Sequence, residues 1–232
     1  MLPNLDYELQ QISQACLCGE QGAEAAKIVA TNLLVKILDN SVTGYQDYPM
    51  LMDSLATCQP AIFLDVFIGS LSSHREEIDK IFDSESWHDD LGHRHNSLDL
   101  IDHEVLLDWC EHDSDHRFSA LAQAVQLCCS KPDENGRPEL AWSPIALGLL
   151  SRAPKIHDVL ISFSSVFFPR SWIGSRADMI DGRLPLLDTL EQYLNPAVTT
   201  WASTKRTELK DYLAYLRIKE KQDQDIMSQK FE

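Results

Sequence analysis

Histidine and carboxylate side chains crowd one stretch of the chain. WHDDLGHRH carries His88, Asp89, His93 and His95, and His103-Glu104, His112, Asp113 and His116 follow. Imidazole nitrogens and carboxylate oxygens together are donors for zinc or iron. The candidate metal set is therefore His88, Asp89, His93, His95, His112 and His116. Ligands need a rigid frame to aim them. Helical periodicity is weakest between Asp83 and Leu98, so the first four have no evident frame. His112 and His116 have the spacing of one helix turn, but Asp113-Ser114-Asp115 reads as a helix cap. That cap sets the two histidines across a joint rather than on one face. The expectation is a metal-free acidic loop with surface histidines, and no cofactor.

Cys110 lies near His112, which suggests a thiol nucleophile. Its place beside Trp109 in an apolar stripe favours a packed cysteine instead. No G-x-x-x-x-G-K-[ST], G-x-G-x-x-G or G-x-S-x-G run is present, so a phosphate cradle or a serine elbow has no support. An enzyme is not expected. The alternative comes from His88-Asp89, which resembles the His-Asp dyad of the all-helical HD-type metal phosphohydrolases. That resemblance implies a metal-dependent hydrolase using the stretch 88–116.

A second group, Trp172, Arg176 and Asp178 in PRSWIGSRAD, joins an aromatic ring to two charges at a helix start. Trp and Arg are favoured anchors at interfaces. The structural reading is a Trp covering the end of a helix pair.

Helices must position all of these groups. Leu5, Leu9, Ile12 and Cys16 share a face after a possible cap at Asn4, and Gly19 and Gly22 end that helix. Residues 23–39 are apolar on most sides, which predicts a helix held between neighbours. Helices are expected over 48–58, from Pro60, over 74–82, over 102–111 and over 115–129. KPDENGRPE (131–139) is a turn-rich loop and the expected internal boundary, between subdomains 1–130 and 140–232. Ser143-Pro144 opens a further helix, and 156–168 pairs with it across Ala153-Pro154. No segment alternates with a period of two, so no sheet is expected.

Residues 184–209 read as two helices around a tight joint. Leu184, Leu187, Leu190 and Leu194 form one stripe, Asn195-Pro196 breaks and restarts the backbone, and Val198, Trp201, Ala202, Leu209 and Leu213 form the other. Asn195, Pro196, Val198 and Ala202 resemble the Asn-Pro-x-Val-Arg-x-x-Ala opening of a HEAT repeat, with Thr199 in place of the Arg. The resemblance implies an all-α, irregular array of antiparallel helix pairs, a HEAT-like α-solenoid. Residues 169–187, together with 106–118 and 142–154, resemble the all-helical C-terminal regions of large bacterial multidomain proteins. Some of those carry a STAND-type ATPase and are linked to antiviral defence. That implies a sensor or scaffold module whose partner is a larger ATPase-containing protein or a copy of itself.

Composition narrows the partner. The formal charge is −16, and residues 76–115 hold fourteen acids against Lys80 and Arg94. Such a face repels phosphate backbones, so nucleic acid is not expected there. No apolar run suits a membrane, and the start lacks a signal-peptide pattern, so a cytoplasmic protein is expected. Cys16, Cys18, Cys58, Cys110, Cys128 and Cys129 contain no C-x-x-C, and read as reduced, small apolar residues. At the C-terminus Ile218, Ile226 and Met227 form no continuous stripe, so residues 217–232 are expected to fray or project, with Phe231 as a possible anchor.

Overall fold

A computed structural model of the chain describes residues 5–39, 48–82, 96–132, 138–168 and 174–230. The fold is mostly helical, as the spacing predicts. Two units emerge, Met1–Gln126 with Pro144–Lys155, and Leu127–Ser143 with Ile156–Glu232. The stretch 131–139 thus falls inside the second unit, and the helix after it belongs to the first.

The first unit holds α1 (Leu5–Leu17), α2 (Ala23–Leu38), α3 (Pro49–Cys58), α4 (Pro60–Phe67), α5 (Arg75–Phe82), α6 (His103–Glu111), α7 (Arg117–Ala124) and α8 (Pro144–Arg152). Pro49, Pro60 and Pro144 each stand at a first helical position, where the missing N–H costs nothing. Asp102 caps α6 by accepting from the Glu104 N–H at 2.8 Å. The core centres on α4, whose Phe63 and Phe67 rings lie 5.0 Å apart, with Phe82 edge-on to Phe63. On the outer side of α4, Asp65 accepts from Trp109 Nε1 at 2.8 Å and from Arg117 at 2.9 Å. The same guanidinium lies over the Trp109 ring and donates to its carbonyl. One carboxylate thereby fixes α4, α6 and α7 together. Between α6 and α8 the backbones approach so closely that a Cβ at Gly148 would stand 2.6 Å from a Leu107 methyl.

Several expectations change here. Cys18 and Cys58 form a disulfide that closes the end of α1 onto the end of α3. Periodicity could not show this, since it pairs residues 40 apart in sequence. Gln59, the next residue, donates to the Leu17 and Gly19 carbonyls, both at 2.7 Å, so the joint is tied twice. Helix α2 buries Ala26, Ala30, Leu33, Leu34 and Ile37 but leaves Ile28 and Val35 about half exposed, so only one face is covered. The expected helix 115–129 stops at Ala124, because Val125 turns to extended backbone. The end of the irregular stretch is firmly anchored: buried Asn96 donates to the Ala124 carbonyl at 2.9 Å, and Ser97 donates to Asp53 at 2.7 Å.

The second unit opens with a hairpin, β1 (Cys128–Pro132) paired antiparallel with β2 (Pro138–Trp142), which corrects the expectation of no sheet. Cys128 faces Trp142 and Pro132 faces Pro138. Two five-residue strands, one ending and the other beginning in a proline, are too short and too exposed to show alternation. Three helices follow, α9 (Ile156–Ser165), α10 (Arg176–Asp181) and α11 (Pro185–Glu191), and then α12 (Pro196–Lys230). Trp142 is the hub. Its ring lies 4.7 Å from Phe163 and 6.3 Å from Phe167, and its Nε1 donates to the Leu186 carbonyl at 2.8 Å.

The α11–α12 joint forms as read. Asn195 Oδ1 accepts from the Ala197 N–H at 3.0 Å, and Thr199 donates its hydroxyl back to the Tyr193 carbonyl. Arg206 then reaches Glu191 at 2.7 Å and Asp188 at 2.5 Å, so α12 runs back along α11. Val198, Ala202, Leu209 and Leu213 are buried as predicted. On the other helix the stripe shifts: Leu186 joins Leu187 and Leu190 in the core, Leu184 precedes the helix, and Leu194 is 98% exposed in the joint. Trp201 is only partly buried. Among the described residues no helix is long and apolar enough to cross a membrane.

Two stability measurements follow. Phe163→Ala should cost about 3–5 kcal/mol as a core cavity, whereas Trp201→Ala should cost well under half of that. Urea unfolding of both variants checks the order, and equal losses would mean Trp201 belongs to the core. Cys18→Ser should cost roughly 2–4 kcal/mol, since the disulfide closes a long loop. The loss should vanish when wild type and variant are compared under reductant.

Candidate interaction surface

The histidine group divides where the joint was expected. His112 closes α6, with Nδ1 2.8 Å from the Asp108 carbonyl oxygen. His116 precedes α7 and pairs its Nδ1 with Asp113 at 3.2 Å. Both histidines are exposed. His88, Asp89, His93 and His95 lie outside the described residues. Among the described residues no group of three His, Cys, Asp or Glu side chains could hold a metal.

The thiols are equally committed. Cys110 is fully buried, and burial pushes its thiol far above the ordinary range, so it stays protonated. Burial likewise pushes Cys128 up to about 12. The acids of α6 are gathered by a single cation: Arg152 of α8 bonds Glu104 and Asp108 and lies 3.5 Å from Glu111. Lys155 pairs with Asp115 at 2.9 Å. These contacts fasten α8 to α6 and leave a negative surface. A cleft of about 400 Å³ between α2 and α4 has Leu34, Ile62 and Val66 as apolar walls, with Lys27, Thr31 and Ser70 among its polar lining.

The second sequence group reaches a more organised setting. Arg176 and Asp178 stand in the first turn of α10, whose free N–H groups are met by a side chain from α12. Glu220 Oε1 accepts from the backbone N–H of Arg176 at 2.8 Å and of Ala177 at 3.1 Å. Its other oxygen accepts from Ser175 at 2.7 Å, while Ser175 accepts from the Asp178 N–H at 3.0 Å. A carboxylate suits a helix start, where unpaired N–H groups and the dipole are positive. At the far end of α10, Asp181 pairs with Arg217 at 2.7 Å. Residues 217–220 of the last helix are therefore tied to the body, which corrects the expectation that the tail leaves it at 217. From 221 to 226 every residue is exposed.

Around this tie lies an apolar and aromatic surface. Phe168 packs edge-on to Tyr212, and Tyr212 stacks on Tyr215. The Arg176 guanidinium lies 6.0 Å from the Tyr212 ring. Tyr215 is 59% and Ile218 61% exposed. Arg176 thus belongs to the surface. Asp178 contributes its backbone N–H to the cap and leaves its side chain exposed. Trp172 and Phe231 lie outside the described residues. Sequence reasoning missed Phe168, Tyr212, Tyr215 and Glu220. The one available signal was the helical spacing of Tyr212, Tyr215 and Ile218; nothing marked Glu220 as a cap for a helix some 40 residues earlier.

The Glu220 clasp makes a pH prediction. The Ser175 hydroxyl, then the two N–H groups, hold its carboxyl below the usual range. A lowered folded value stabilises the fold above the unfolded value of about 4.3 and is lost as pH falls through the folded one. Glu220→Gln should cost roughly 1 kcal/mol at neutral pH, as for a lost helix cap. The difference from wild type should close as the pH drops below the ordinary glutamate range. Truncation after Leu216, which removes the Arg217 and Glu220 ties, should lower the melting temperature further than truncation after Glu220.

Compared with protein-family models, with curated proteins and with solved structures, the chain matches none.

Proposed function

We propose that this protein is a non-catalytic helical interaction module that binds a protein partner. The observation that carries the reading is the surface formed by exposed Phe168, Tyr215 and Ile218 around half-buried Tyr212, backed by a helix clasped to the body by Glu220 and Arg217. Exposed aromatic and aliphatic side chains beside an Arg are the composition of an interface centre. A rigid backing lowers the ordering cost of binding. The acidic face of α6 favours a protein over nucleic acid.

On this reading the α11–α12 pair is one unit of a HEAT-like array, and the chain supports a larger assembly. The resemblance to helical regions of bacterial defence proteins would make an ATPase-bearing protein, or another copy of this chain, the partner. A cytoplasmic setting would keep Cys18 and Cys58 reduced. The thiol state of the protein taken from its host therefore reports its compartment.

A photo-crosslinking residue at Ile218 should give a discrete protein adduct in the native host. The same residue at Ile161, also exposed in the second unit, should not. Mass spectrometry identifies the adduct. No adduct at 218, or equal adducts at both positions, overturns the reading.

A further inference from the structure

We infer that the partner of the last helix is a second copy of this chain, paired antiparallel about Gln222. The inference rests on the proposed interaction reading and names its occupant. Successive helical residues turn by about 100°. Measured from Gln222, Tyr215, Ile218 and Ile226 fall within about 40° and so share its face. Leu209, Leu213, Leu216 and Glu220, which hold α12 to its own body, fall about 120° or more away. The body therefore takes one side of the helix and leaves the other open. Tyr215, Ile218 and Ile226 are 59%, 61% and 53% exposed. The helix continues beyond Glu220 to Lys230.

The open face is symmetric about its centre. Ile218 lies four residues before Gln222 and Ile226 four after it. Two such helices laid antiparallel with their Gln222 residues level bring Ile218 of each copy to the height of Ile226 of the other. The two glutamines meet in the middle, where a polar pair fixes register and direction. Charge selects the same arrangement. Lys219 and Lys221 precede the centre, Asp223 and Asp225 follow it, and all four are exposed. Lys219 and Asp225 flank the open face, and Lys221 and Asp223 stand just outside it. Antiparallel pairing sets Lys219 near Asp223 of the second copy and Lys221 near Asp225, each contact occurring twice by symmetry. A parallel pair would set lysine beside lysine and aspartate beside aspartate, which is unfavourable. A heterologous helix would need its own matching pattern; this chain already carries its complement.

The test is sedimentation equilibrium of the full chain, with far-UV circular dichroism to establish that each variant is folded. Wild type should form a reversible dimer. Lys219→Asp with Lys221→Asp makes the segment wholly acidic, and Asp223→Lys with Asp225→Lys makes it wholly basic. Each double variant alone should dimerise at least about tenfold more weakly, because like charges now face each other. An equimolar mixture of the two should recover association as a heterodimer. Ile218→Asp should also weaken the wild-type dimer. A strictly monomeric wild type overturns the inference, as does a mixture that fails to associate while both variants remain helical. An adduct with a different protein at Ile218, from a chain that is monomeric when pure, would sink self-pairing and leave the interaction reading standing.

Discussion

Short helices are the constraint under which this fold is built. Among the described residues, every α-helix except α12 is between 6 and 16 residues long. Helices of that length are marginal in water, because nucleation is costly and few hydrogen bonds follow it. Each must be held by something outside itself. The holding groups are few and specific. Asp65 binds Trp109 and Arg117, so α4, α6 and α7 share one carboxylate. Arg152 ties α8 to α6 through Glu104 and Asp108. Gln59 and the Cys18–Cys58 bridge close α1 onto α3. Glu220 supplies the acceptor for the Arg176 and Ala177 N–H groups in the first turn of α10.

The same constraint explains why α12 is different. At 35 residues it is long enough to pack along the body and to carry on beyond Glu220. Its N-terminal half is a core element, with Val198, Ala202, Leu209 and Leu213 inside. Its middle is a clasp, with Arg217 and Glu220 turned toward α10. Because the clasp uses one side of the helix, the opposite side carries Tyr215 and Ile218 outward on a fixed backbone. Core packing thus holds this exposed surface in place. A long helix free of the body would present the same residues at a much larger entropic cost.

The acidic charge finds a structural role in the same terms. Glu104, Asp108 and Glu111 recur on one side of α6, where a single guanidinium can meet all three. The histidines among them serve the backbone joint: His112 ends one helix and His116 begins the next. In this part of the chain, side chains that resemble ligands by type are used as caps and turn partners. Residue type names a chemical ability, and geometry decides whether it is used.

What the sequence determined by itself is the local part. Helical spacing located most of the helices, the prolines at 60, 144 and 196 marked helix starts, and Asn195 capped the α11–α12 joint as its type requires. Those features depend on neighbours within one or two turns, so a linear reading contains them. Asn135-Gly136 is a turn signal in the sequence, and it marked the loop 131–139 without marking strands on either side. The strands flanking it were too short and too polar to show alternation. Only the tertiary structure decided the rest: that Cys18 meets Cys58, that Asp65 serves three helices, and that Glu220 caps a helix 44 residues before it. It also decided that Leu194 faces water while Leu186 is buried. Contacts over such distances depend on how helices turn against one another. No spacing rule along the chain encodes that rotation, because an isolated helix shows its apolar stripe but not which part of it a neighbour will cover.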